Sequence, residues 1–319
     1  KQSACVCVYS TTMPPRRKAK QSFLERQINS LDEEQQKSKQ TSNTNTVTYT
    51  AADLLTKAEA MMIHGQYELA NSFLERAVEI EPNNCQVLGL YGDFLLHSGD
   101  FSSASTILKR CIELEPDAGA EKFMNYGQAV GGDEAIASYN KGIEILERDL
   151  ASLEATDDIE EQKKLISSAY CSIAELYLTD LCQTPEAEEA CGQAITKALE
   201  YFPTSAEALQ IAASYNISCK RNDEALELLN RSHAIWAEAA KEAHATDNDD
   251  EPSRITSAEQ FEEIISALPS YEFRFDTAKL YMELGQPKAA IDICEQLVGE
   301  SDDIVDVWAF MAPPFGTLL

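Results

Sequence analysis

The sequence predicts an all-α fold, a right-handed superhelical solenoid of helix pairs with about six repeats and part of a seventh. Three observations carry that prediction. Gly65, Ala70 and Pro82 recur as Gly99, Ala104 and Pro116, each 34 residues on. Apolar residues between these marks keep helical spacing, as in Leu54, Ala58 and Met61. The same register, carried forward, finds counterparts as far as Trp308. Each mark has a physical reason. The glycine ends the first helix in a conformation that a Cβ resists. The alanine lets two helices approach closely, and the proline stops the second helix before the next unit.

A helix–turn–helix unit of this period resembles the tetratricopeptide repeat. With Ala70 as its position 20, repeat one covers 51–84, with Leu54, Ala58 and Met61 on helix A and Leu74 and Ala77 on helix B. Repeat two covers 85–118, with Leu88, Tyr91, Gly92, Leu95, Phe101, Leu108 and Cys111 in matching slots. Repeat three is compressed: Phe123, Tyr126, Gly127 and Val130 mark helix A, but Ala135 comes four residues early. Tyr139 and Ile143 continue a helix B towards Leu153. Repeat four has Tyr170, Ile173, Ala174 and Tyr177 on helix A, a turn stretched around Thr184-Pro185, then Cys191, Ile195, Ala198 and Pro203. Repeat five, with Leu209, Ala212, Ala213, Ala225 and Leu229, returns to the strict period.

An insertion of about 30 residues relative to the period follows. It is expected to hold a helix extended to Ala245, an acidic loop from Asp247 to Glu251 and a short helix over 257–267, the irregular part spanning 240–268. Repeat six has Ala278, Tyr281, Gly285, Ala290 and Cys294, and Trp308 opens a seventh helix A that Pro313 and Pro314 break. The expected domains are a flexible N-terminal segment over 1–50, the solenoid over 51–311 and an irregular tail over 312–319, with the natural chain continuing beyond Leu319.

Residues 1–50 are polar and basic, with a short helix expected around Phe23–Leu31. Met13-Pro14-Pro15-Arg16-Arg17-Lys18 reads as a natural start followed by a basic cluster, either a nuclear-localisation signal or a solvated tail. Of the 26 basic and 54 acidic residues, eight and four lie in this segment, leaving 18 and 50 and a net charge of −32 over 51–319. Such an excess argues against direct nucleic-acid binding, since phosphate contacts need Lys and Arg. It favours a basic partner captured quickly and in a salt-sensitive way, with simple solubility as the plainer explanation.

The placement of the acids narrows the choice. In the tetratricopeptide family helix A lines a concave face, and positions 2, 5, 9, 12 and 13 tend to point into it. Those slots hold Glu59, Asp93, Glu121, Glu175, Glu207, Glu272, Glu283 and Asp306, with Asp180 nearby. Leu178, Phe275 and Met282 occupy others, as do Leu55, Met62, Leu96 and Met124, and Lys279 is the one Lys or Arg among them. Carboxylates among flexible apolar side chains suit an extended, basic, partly apolar peptide. The cationic clamp of repeat co-chaperones is missing, because its positions hold Leu55, Glu59, Leu90, Glu121 and Asn125.

Catalytic residues, cofactors and metals are not expected. His64 and His97 occupy equivalent slots, and neither a phosphate loop, a paired-His motif nor a nucleophile with an evident base is legible. Nine cysteines, with Cys111, Cys191 and Cys294 at core slots, read as free thiols of a reducing compartment. Neither a membrane span nor a signal-peptide core is present in the sequence.

Two stretches go beyond the generic repeat: Ile173 to Cys182 with Glu186-Ala187-Glu188 and Cys191, and Leu268-Pro269-Ser270-Tyr271-Glu272-Phe273-Arg274 leading into Thr277-Ala278-Lys279-Leu280. With the Met13–Lys18 opening, they resemble the fungal dedicated assembly chaperones of large-subunit ribosomal protein number four over about 51–311, while the ending from Met311 departs from that family. The resemblance implies a non-enzymatic chaperone of cytoplasm and nucleus. It would hold the long basic internal loop of its client, escort it to the pre-ribosome and meet a nuclear import receptor through that client. A histone chaperone and a scaffold subunit of a larger complex stay open as alternatives.

Overall fold

The computed structural model describes residues 49–154, 156–245, 268–300 and 305–311. Thirteen helices form there, and the chain divides into two compact units between Gly99 and Asp100. The helices expected around Phe23–Leu31 and over 257–267, the acidic loop and the tail lie outside the described residues.

The first unit holds α1 (Ala51–Ile63), α2 (Tyr67–Ile80) and α3 (Cys85–His97). Thr50 starts α1 with a reciprocal cap: its hydroxyl accepts from the Asp53 amide at 3.2 Å, and its own amide donates to the Asp53 carboxylate at 2.9 Å. Asn84 caps α3 through the amides of Gln86 and Val87. Packing of α1 on α2, and of both on α3, buries Leu54, Ala58, Ala70, Leu74, Ala77, Val87 and Leu88 almost completely.

The second unit holds ten helices. They are α4 (Phe101–Leu114), α5 (Glu121–Val130), α6 (Gly132–Leu150), α7 (Thr156–Leu178) and α8 (Ala187–Tyr201), then α9 (Ala206–Ser218), α10 (Asn222–Ala245), α11 (Tyr271–Glu283), α12 (Pro287–Glu300) and α13 (Val305–Met311). Each packs on the next, and α7 also meets α9 while α10 also meets α12. Two apolar clusters result. One runs from Ala135 and Tyr139 through Ile166 and Ile173 to Ala208 and Ile211, and the other joins Ala213, Leu229 and Trp236 to Tyr281, Ile293 and Val307. Cys111, Cys191 and Cys294 are buried free thiols, as expected, and burial raises the last two to about 12 and 11.

The irregularities of the period have visible causes. The compressed repeat has a helix A of only 10 residues, and Gly131 and Gly132, at φ 70° and 58°, make its turn. The extended helix after repeat five ends at Ala245, as the sequence predicts. The length of α7, 23 residues beginning at Thr156, is new. Its first turns are charged and lack apolar periodicity, so the sequence marks of that helix begin only at Tyr170. At the glycine slot of repeat five stands Lys220, the sole described non-glycine residue with positive φ, 61°. Near the C-terminal end, Arg274 is buried. It donates to the Pro269 carbonyl at 3.1 Å and to both Glu300 oxygens at 2.5 and 2.7 Å, tying the start of α11 to the end of α12.

Two outcomes follow for stability. A Cβ on Gly127 would lie 2.8 Å from the ring of buried Tyr139, whereas on Gly142 it would first meet the mobile Met124 methyl. Gly127→Ala is therefore expected to lose about 1–2 kcal/mol in urea unfolding and Gly142→Ala distinctly less; equal losses would contradict the packing. Lys220→Gly is expected to gain roughly 0.5–1 kcal/mol by relieving the left-handed backbone, and a loss of stability would show that Lys220 is not strained.

Candidate functional site

In the second unit, polar residues of three A helices, α7, α9 and α11, meet one another. On α7, Ser168, Cys171, Ser172, Glu175 and Leu178 share one stripe at intervals of three and four. Glu207 lies in the first turn of the neighbouring α9 and accepts from the Ser168 hydroxyl at 3.4 Å. Gln210 of α9 then links to α11. Its amide nitrogen donates to the Phe273 carbonyl at 3.3 Å, and its oxygen accepts from Thr277 at 3.0 Å. Because Gln210 and Thr277 are both buried, leaving either unpaired would cost about 1–3 kcal/mol. That pairing sets the register of α9 against α11.

This register brings Asp276 into the field of Glu175. Glu175 is exposed at the surface, yet neighbouring protein atoms crowd around its carboxylate. Poor hydration first, then repulsion from Glu207 and Asp276, pushes its pKa up to about 7. Burial also raises Glu207, against the hydrogen bond from Ser168. Asp276 in turn is held by Lys279 at 2.8 Å, and the Lys279 ammonium lies 4.3 Å from the centre of the Phe275 ring. Phe275 meets Phe310 of α13 edge to face, centroids 5.5 Å apart.

The other sequence-derived candidates are dispersed. Glu121 and Glu272 are exposed in the first turns of α5 and α11. Met282 and Glu283 are exposed at the end of α11, and Asp306 on α13. Asp180 follows α7 and faces the α5–α6 turn, its carboxylate 3.0 Å from where a Gly131 Cβ would stand. Leu178 is half-buried against the first apolar cluster. In the first unit Glu59 is exposed on α1, while Asp93 approaches the His97 ring at 3.5 Å. Leu55 and Leu96, read as groove residues, are buried in the core of that unit instead. Sequence reasoning missed Asp276, at position 6 of its repeat. The signal was present, since Glu272, Asp276, Lys279 and Glu283 follow one helical stripe. Among the described residues no cluster of ligating side chains suits a metal ion, and no helix is long and apolar enough to cross a membrane.

The tetratricopeptide-repeat family model matches residues 61–122. The solved structure of an assembly chaperone of RpL4, residues 1–338, superposes with a TM-score of 0.62 at 24% identity, covering 82% of this chain and 94% of that one. The fold is a tetratricopeptide-repeat solenoid. A probable assembly chaperone of rpl4 from Schizosaccharomyces pombe is 36% identical over 193 residues, 60% of this chain and 50% of the relative. A protein of the same description from Emericella nidulans is 26% identical over 270 residues, 80% of this chain and 62% of the relative. The chain thus spans half to about three-fifths of the length of these relatives, and the resemblance read from its sequence is to the same group.

Glu175 gives the stripe a pH signature. A carboxylate whose pKa is raised from 4.5 to about 7 supports the fold while protonated, fully below 4.5, and that support is lost as pH rises through about 7. Glu175→Gln is expected to raise the thermal midpoint at pH 8 and to change it little at pH 4.5. An equal shift at both pH values would contradict the assigned environment.

Proposed function

We propose that this chain serves as a dedicated chaperone of large-subunit ribosomal protein number four, holding a basic, extended segment of that protein against its acidic A-helix face. The observation that carries the reading is the approach of Glu207 on α9 and Asp276 on α11 to Glu175 on α7, from three successive A helices, with Phe275 next to Asp276 on α11. Like charges held together on a poorly hydrated face destabilise one another, and a cationic chain relieves that repulsion. The relatives named as probable assembly chaperones of rpl4 supply the client class.

The physical task fits the charge. A long basic loop that will later thread among ribosomal RNA is, before assembly, a hazard that binds RNA or aggregates. A chain with a net charge of −28 screens it. Many modest contacts along an extended segment keep binding reversible, so that ribosomal RNA, a denser polyanion, displaces the chaperone at the pre-ribosome. The protein acts by binding and not by catalysis, without cofactor, direct nucleic-acid contact or membrane. It works in cytoplasm and nucleus, reaching an import receptor through its client.

Charge reversal tests the face. Glu175→Lys, Glu207→Lys and Glu272→Lys combined are expected to weaken binding of the basic loop peptide by more than about a hundredfold, from three lost attractions of roughly 1 kcal/mol or more each. Circular dichroism should stay unchanged. Retained affinity in a folded triple variant removes the face from the mechanism. Affinity purification of the tagged chain at low and moderate salt tests the client. One stoichiometric basic ribosomal protein supports the reading, while a spread of histones or a salt-resistant set of neutral proteins overturns it.

A further inference from the structure

Lys279 is the exception on the acidic stripe, and its surroundings explain what it does there. Its ammonium lies 4.3 Å from the Phe275 ring centre, the shortest of the five cation–ring approaches described, and pairs with Asp276 at 2.8 Å. Phe310 supports the ring edge to face. A carboxylate beside an aromatic face makes a receptor for a cationic side chain. In the free protein the chain's own lysine fills it. We propose that Lys279 is a placeholder, displaced when an arginine of the bound basic segment takes the Phe275–Asp276 site, and that it makes the acidic face prefer arginine to lysine; this rests on the function proposed above.

The chemistry gives the preference its direction. Lys279 and Asp276 form an exposed pair three residues apart on one helix, the kind of contact worth only about 0–0.5 kcal/mol. The four-carbon stem of Lys279 can swing the ammonium into water at little cost. An incoming lysine would only replace one ammonium with another. A guanidinium can lie flat on Phe275 while donating two hydrogen bonds to Asp276, and it is the more weakly hydrated cation. Lys279 also neutralises one of the three crowded carboxylates, so weakly bound cations gain less from the face than the bare cluster would offer.

The test compares two peptides of equal length and charge, identical except that one carries arginines and the other lysines, by fluorescence anisotropy on the full chain. The wild type should bind the arginine peptide about fivefold more tightly or better. Lys279→Ala should tighten the arginine peptide by about five- to tenfold and the lysine peptide by about twofold. Lys241→Ala is the control for charge alone. Lys241 pairs with Glu238 at 2.7 Å across the same helical spacing, with no cation–ring approach to it among the described residues, and its loss should change both peptides less than about twofold. Phe275→Leu, with helicity checked by circular dichroism, should abolish the arginine preference. If that variant does not fold, the comparison of Lys279 with Lys241 decides. Equal effects of the two lysine substitutions, or an arginine preference that survives in folded Phe275→Leu, overturn the placeholder while leaving the acidic face intact. Failure of the wild type to bind either peptide overturns both readings.

Discussion

Close approach of paired helices at small residues is the constraint on which the rest of this molecule depends. Ala58, Ala70, Ala77, Ala104, Ala174, Ala198, Ala213, Ala225, Ala278 and Ala290 are completely buried. With a methyl group at each of these contacts the backbones come near enough for the flanking Leu, Ile and Cys side chains to interdigitate. A larger side chain at such a point would force the pair apart, and strain of this kind costs about 1–3 kcal/mol per site. Because the contact recurs with the repeat, one solution is used many times, and within each unit a helix is placed by its neighbours.

Such local packing leaves the outer stripes of the A helices free of structural duty. Within the second unit their alignment is settled by a few buried polar contacts, chiefly Gln210 with Phe273 and Thr277 and, at the far end, the Arg274–Glu300 pair. Buried polar groups must find partners, so these contacts admit few alternatives. The carboxylates on the stripes inherit that order. Glu207 and Asp276 stand near Glu175 because the helices beneath them are held, and the raised Glu175 pKa follows from poor hydration first and from those two charges second. Electrostatic strain in the unliganded state is thereby available to favour a cationic partner.

The departures from periodicity follow the same logic. Two glycines with positive φ absorb the shortened turn of repeat three, and Lys220 accepts a left-handed backbone because the turn before α10 is set by packing on either side. The long α7 begins with acidic residues, which the dipole at a helix N-terminus stabilises without help from a buried face. That is why the beginning of this helix was illegible where its apolar period was silent.

The sequence by itself determined the helical class, the 34-residue period, the small-residue contacts, the buried cysteines and the acid-rich A-helix positions, since each depends on spacing within a few turns of chain. Glu175 and Glu207 were legible as acids at A-helix positions for that reason. Only the tertiary structure decided which carboxylates stand together, that Asp276 joins them, that Leu55 and Leu96 belong to the core, and that Lys279 sits on Phe275. Those outcomes depend on the rotation and register of one helix against another. They are settled by packing and by the pairing of buried polar groups between residues as far apart in sequence as Gln210 and Thr277.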